Sequence, residues 1–346
     1  MKYYFRVFVA IAFCFLSTIS MAISPINGKQ PNAAIDVNGT IRVVYGQAAK
    51  IYCITSKNHG QSFSTPVLVA EVPNMHLGHT RGPQIASSLH YSMITAMDKN
   101  GEIHSFKLDH SKNVWTTTSH VNDLKGSAPE GLMSITADEH DHFFAVWLDV
   151  RIAKLNNIFF STYSNTGSWK TNKLVYRSPE GHVCECCKPN ISWNNNKIAI
   201  TFRNWINGSR DIYYSTSTNN GQTFTNAVQS GYGTWKLAGC PMDGGGSAVN
   251  DKGVLSAAWQ RNGEVFYING KLAERRIGAG RGVSMAQGSG NTYIGWQEDG
   301  TIRLYNLKSN KTIDLGKGSS ARISILPDGK AFCVWEEGEN IKYKLS

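Results

Sequence analysis

The chain has 346 residues, 41% hydrophobic and 17% charged, with 33 glycines against 10 prolines, which excludes a disordered protein and allows a large core. Its formal charge of +10 favours acidic partners, but the lysines and arginines form no block, so no nucleic acid is expected.

Residues 1–22 stand apart. Lys2 and Arg6 give a positive start, 7–19 is an apolar run containing Cys14, and Ser20-Met21-Ala22 supplies small residues at a cleavage point. This pattern predicts a secretory signal peptide cleaved near Ala22, whose removal lowers the charge by two. The apolar run is shorter than the roughly 20 residues that cross a bilayer. A secreted or periplasmic protein without stable membrane insertion is therefore expected, with 23–346 as one domain. Loss of Cys14 leaves an even set of cysteines for an oxidising compartment.

Along the remainder, seven segments repeat one pattern: an apolar strand, a turn rich in Asp, Asn or Gly, and a second strand that usually ends in Trp. They are 34–46 (AIDVNGTIRVVYG), 85–97, 134–148 (SITADEHDHFFAVWL), 191–202, 247–259 (SAVNDKGVLSAAW), 284–296 and 322–335. Third strands follow, as at 50–55, 158–162 and 211–216, and then weaker fourth ones. The pattern predicts an all-β fold, a β-propeller of four-stranded blades, at about 46 residues per copy. Seven blades are counted. Six is the other count the pattern allows, because the fourth strands of the second, fifth and sixth copies are faint. A β-sandwich pair or open solenoid is the competing architecture. The last copy runs out after three strands, so residues near 23–30 are predicted to add its outer strand.

Two turns match almost residue for residue: Ser56-Lys57-Asn58-His59-Gly60-Gln61-Ser62-Phe63 and Ser217-Thr218-Asn219-Asn220-Gly221-Gln222-Thr223-Phe224, with 164–169 as a shortened third copy. They resemble the Asp-box, or BNR repeat, of the sialidase (neuraminidase) superfamily of β-propellers, with Asn58 and Asn219 in place of the Asp. A longer resemblance runs through Gly181-His182-Val183-Cys184-Glu185-Cys186-Cys187-Lys188-Pro189, Phe202-Arg203-Asn204, Ser209-Arg210-Asp211-Ile212 and Trp235 to Gly244. It is similar to secreted bacterial Asp-box proteins labelled sialidase-like or exo-α-sialidase. That resemblance implies an anionic glycan or glycoconjugate as partner and a glycoside hydrolase releasing terminal sialic acid. The Phe/Tyr-Arg-Ile-Pro motif of sialidases is absent near the first blade, where Arg81 is the nearest arginine, and no Tyr/Glu pair matches the family's nucleophile.

Propeller phase groups distant residues. Loops leading into innermost strands and loops joining second and third strands emerge on one face, the mouth. The former carry His79, Arg81, Glu130, the Cys184 to Cys187 run, Cys240, Asp243 and Arg281; the latter carry Asp149, Arg151, Arg203, Arg210, Arg261 and Glu298. Guanidinium groups grip carboxylates through paired hydrogen bonds, so Arg81, Arg203 and Arg281 are the candidate substrate clamp, joined by Arg210 and His79. Asp149, Glu130 and Asp243 are the candidate catalytic acids. Their competing roles are turn contacts and local ion pairs. Trp205 and Trp235, in loops, are placed to stack on a sugar ring.

Cys184, Cys186, Cys187 and Cys240 enter adjacent blades. Two disulfides are expected, one joining the triplet to Cys240. The alternative is a cluster that binds a soft metal, copper or zinc, with His182 or His79. Cys53 and Cys333 lie in apolar strands and read as buried free thiols. Asp138 to His142 reads as a solvated turn opposite the mouth. Besides the hydrolase, the pattern supports a non-catalytic glycan- or protein-binding propeller and an extracytoplasmic metal-binding protein; no cofactor is expected, with a soft metal such as copper or zinc as the alternative.

Overall fold

A computed structural model of the chain describes residues 26–164 and 167–346. Residues 1–22, expected as a signal peptide, lie outside the described residues, as do residues 23–25 and two positions of the shortened third turn, Asn165 and Thr166.

Every regular element among the described residues is a strand, and the strands form seven antiparallel four-stranded sheets. Blades 1 to 7 span residues 29–71, 84–117, 133–176, 190–229, 246–279, 281–317 and 319–345, so the count of seven holds. The innermost strands pack in a closed circle, each against the next and the last, Ser319–Ile325, against the first, Lys29–Ile35. Blade 7 obtains its fourth strand from the start of the chain. Ile26 pairs with Ile341 and Asn27 with Asn340, as the truncated last copy predicts. Ser324 Oγ donates to the Ala33 carbonyl at 2.9 Å and ties the same seam along its inner edge.

Stacking the sheets face to face explains the sequence pattern. Second strands lie between neighbouring blades and have no solvent face. Phe143–Asp149 (FFAVWLD) is buried at every residue, and so is its partner Asn157–Tyr163. Outer strands such as Val114–Thr117 and Val228–Gln229 are mostly exposed and short, which is why their signal is faint. The core is a series of inter-blade layers, for example Leu132, Phe144, Val146 and Ile158 of blade 3 against Ile191, Ile198 and Phe202 of blade 4. No helix among the described residues is long and apolar enough to cross a membrane.

The two matched turns have one construction. Ser56 Oγ accepts from Gly60 N at 2.8 Å, and Asn58 Oδ1 accepts from Ser62 N at 3.0 Å. Gly221 N donates to Ser217 Oγ and Thr223 N to Asn219 Oδ1, both at 3.0 Å. An Asn oxygen accepts these amides as a carboxylate would, so the Asp-to-Asn change leaves the turn intact. Phe63 then packs on Tyr343 and Phe224 on Phe160, with centroids 4.7 and 5.1 Å apart. Gly221 has φ +75°, and a methyl there would overlap the Phe160 ring. Gly221→Ala is therefore expected to cost about 2–4 kcal/mol by thermal unfolding, from combined strain and overpacking. Gly208→Ala, at φ +74° with open space around it, should cost only the backbone share.

Candidate functional site

The mouth gathers the expected loops but spends most of their charged groups on the wall. Arg203, 1% exposed, ends the second strand of blade 4. Its guanidinium donates to the carbonyls of Asp243 (2.9 Å), Arg210 (2.6 Å) and Gln260 (2.9 Å) and lies over the Trp235 ring. Arg81 donates Nε to the Glu130 carbonyl and faces the Glu130 carboxylate at 3.6 Å. Arg281 is exposed on the rim, with Nε donating to Gln297 Oε1 at 3.3 Å. The three arginines are thus engaged differently: one is inside the wall, one is paired, one is exposed.

The acids are similarly engaged. Asp149 is wholly buried and accepts from Ser127 Oγ (2.8 Å), Trp147 Nε1 (2.9 Å) and the Arg151 side chain (2.9 Å). Asp243, 3% exposed, accepts from the amides of Gly245 (3.0 Å) and Gly282 (2.8 Å) and orders the lead-in to blade 6. Glu130 is half-buried beside Arg81. Of the second-to-third loops, Arg261 pairs with Glu274 and Glu298 with Arg303. His79 is exposed, with φ +53°. Asp138 and His142 close on one another at 2.6 Å in a turn on the opposite face.

The sulfurs do converge. Cys184, Cys186 and Cys187 lie in the lead-in to blade 4, where a Cys-x-Cys-Cys spacing in a tight turn points three side chains to one spot. Their Sγ atoms are 3.2 Å (184 to 187), 3.7 Å (184 to 186) and 4.0 Å (186 to 187) apart. Cys186 is bonded to Cys240 on the lead-in to blade 5, one of the two bridges expected. The second is absent: Cys184 and Cys187 are free, buried thiols. Cys53 and Cys333 are free and buried too, and burial pushes each up to about 12.

Around the thiols stands a cationic and aromatic shelf. Arg210 Nη1 donates to Cys184 Sγ at 3.0 Å, and its guanidinium lies 4.4 Å over the Trp205 ring. His182 stacks with Trp205 at 6.1 Å between centroids and faces Glu185 at 3.1 Å. The hydrogen bond with Cys187, together with Arg210, brings the Cys184 thiol down to about 6, whereas burial raises Cys187 well above the ordinary thiol value. Arg210 and Trp205, expected as substrate contacts, thus also border the sulfur pocket.

Sequence reasoning missed the polar groups on the axis: Gln84, Lys188, Arg322 and Glu336. Lys188 directly follows the cysteine run, and Arg322 is a lone charge in an innermost strand, Ser319–Ile325. Both become conspicuous only when the strand phase is known.

No family model matches the chain, and no curated protein matches it. Solved structures define the fold class. A catalytically inactive virginiamycin B lyase from Staphylococcus aureus superposes with a TM-score of 0.58 at 13% identity, covering 93% of this chain and 96% of that one. The SapL1 lectin in complex with alpha methyl fucoside gives 0.53 at 13% identity, covering 85% and 97%. A Hadza microbial sialidase gives 0.54 at 10% identity, covering 92% of this chain and 65% of that one. The chain is a seven-bladed β-propeller of the shape shared by these proteins. At such identities the likeness is one of fold.

Proposed function

We propose that the protein is a non-hydrolytic, extracytoplasmic binding propeller that holds a soft metal ion, copper(I) or zinc(II), on the thiolates at its mouth. The observation that carries this reading is the spacing of the sulfurs. Metal–thiolate bonds of about 2.3 Å in a tetrahedral site set neighbouring sulfurs roughly 3.8 Å apart. Cys184, Cys186 and Cys187 stand 3.2 to 4.0 Å apart, buried, with a guanidinium on one of them. Cys240, bonded to Cys186, is the natural fourth ligand. Metal and the Cys186–Cys240 bond are competing uses of one sulfur: the loaded form has both as thiolates, either because the ion arrives first or because a thiol reductant supplies two electrons. A secreted or periplasmic location, where such a bond forms, suits both states.

The hydrolase reading is weaker because Asp149 and Asp243 are buried and saturated by the wall. Glycan engagement without turnover keeps support from the Trp205, Arg210 and His182 shelf, and from the lectin and sialidases that share the fold.

Elemental analysis of protein purified anaerobically without chelator tests the metal. About one equivalent of copper or zinc is expected, lost in Cys184→Ser/Cys187→Ser and retained in Cys53→Ser/Cys333→Ser. Metal-free protein, analysed unreduced by mass spectrometry, should show one disulfide and free thiols at positions 53, 184, 187 and 333. Reduced protein that takes up neither ion would overturn the reading, and release of sialic acid from a fluorogenic ketoside would restore the hydrolase.

A further inference from the structure

The innermost strands of blades 1, 6 and 7 each bulge near the mouth, between Lys29 and Asn32, between Arg281 and Ser284, and between Ser319 and Arg322. Gln30, Gly282 and Ser320 take positive φ there, at 52°, 67° and 58°. A bulge re-aims the side chains beside it, and such features gather at functional sites. Here polar groups from blades that are not neighbours meet.

Lys188 leads into blade 4, yet its Nζ donates across to Gln84 Oε1 of blade 2 at 3.1 Å. The same oxygen accepts from Asn32 Nδ2 of blade 1 at 2.8 Å. Blade 3 separates blades 2 and 4 around the ring, so this bond marks the central axis. Gln84 is itself fixed, its Nε2 donating to the Gly82 and Pro83 carbonyls at 3.1 Å. Arg322 of blade 7 is only partly exposed and lies deep among the blades. Its single hydrogen bond runs from Nη1 to the Ala321 carbonyl at 3.3 Å.

Among the described residues no carboxylate forms an ion pair with Lys188 or Arg322. The acids whose field reaches Arg322 are Asp243 and Glu336. Asp243 is occupied by backbone amides, and Glu336 accepts from the Gln30 backbone and from Gln30 Nε2 at 3.0 Å. Enclosed cations in folded proteins are ordinarily paired. Here two of them, from blades 4 and 7, stand near enough for Arg322 to act on Lys188 electrostatically, and neither has an ion-pair partner among the described residues.

We propose that the axial channel at the level of Lys188 and Arg322 binds a small oxyanion, with the ammonium and guanidinium as its charged donors. This site is separate from the sulfur pocket and does not depend on a metal there. Calorimetry on the full mature chain tests it, with inorganic phosphate, sulfate and acetate as probes at constant ionic strength and mildly acidic pH, because burial and the nearby Arg322 disfavour the charged form of Lys188. Saturable binding of at least one probe, one per chain, is expected, with a rise in Tm that chloride does not produce. Arg322→Gln and Lys188→Met are each expected to weaken it about tenfold or more, and Lys125→Gln, on the exposed surface, should leave it unchanged. Preference among the probes separates a tetrahedral inorganic anion from a carboxylate. No saturable binding to wild-type protein, or binding indifferent to Arg322→Gln, overturns the proposal. Should either substitution unfold the chain, Glu336→Gln replaces it: loss of that negative charge is expected to tighten binding several-fold, and an unchanged affinity counts against the axial site.

Discussion

Arg203→Ala is expected to remove about 3–5 kcal/mol of stability, seen as a fall in Tm of roughly 6–15 °C. The guanidinium wedges blade 4 to blade 5: one acceptor lies in its own blade, on Arg210, and two lie in the next, on Asp243 and Gln260. With the side chain 1% exposed, water has little access to those carbonyls once the donor is gone. Each unsatisfied group costs about 1–3 kcal/mol. Arg203→Lys should lose nearly as much, because an ammonium cannot reproduce a planar fork aimed at three carbonyls. A variant as stable as wild type that failed to bind anionic glycans would instead reinstate Arg203 as a substrate contact.

A loss of similar size is expected for Asp149→Ala. The carboxylate joins the lead-in to blade 3 (Ser127), the indole of Trp147 and the guanidinium of Arg151, which also reaches Asp123 at 2.8 Å and Asn172 at 2.8 Å. Removing one partner of a buried ion pair leaves the other uncompensated, at about 3–5 kcal/mol. Asp149→Asn keeps acceptor oxygen but not charge, so it should fall between. Urea unfolding of the three proteins decides the matter. A catalytic Asp149 would show the reverse signature: unchanged stability in the Asn variant.

The architecture was legible because blade periodicity is written twice, in the strand–turn–strand pattern and in the paired turns ending at Phe63 and Phe224. It even located the seam, since the last copy visibly lacked a strand. The mouth was legible only as a set of loops. Phase says that Arg203 and Asp149 emerge on that face, but it does not say whether a side chain turns toward solvent or back into the wall. Asp149 ends a strand whose preceding residues, FFAVWL, are wholly apolar, and Arg203 follows a run broken only by Lys197 and Thr201; that was the available hint that the charge too was enclosed. The sulfur cluster was better specified, because close spacing along the chain constrains three cysteines to one turn whatever the surrounding fold. Lys188 and Arg322 went unread for the opposite reason: their proximity arises only from closing the ring.

The seam at Ile26 and Ile341 also fixes the order in which the molecule can be completed. Intermediate blades can stack as they are made, but blade 1 keeps an uncovered flank until blade 7, whose strands Ser319–Ile325 and Ala331–Glu337 pack against it, has been made. Contacts so distant along the chain are slow to form. A polypeptide built this way stays an open arc until its seventh blade has formed and only then becomes a ring.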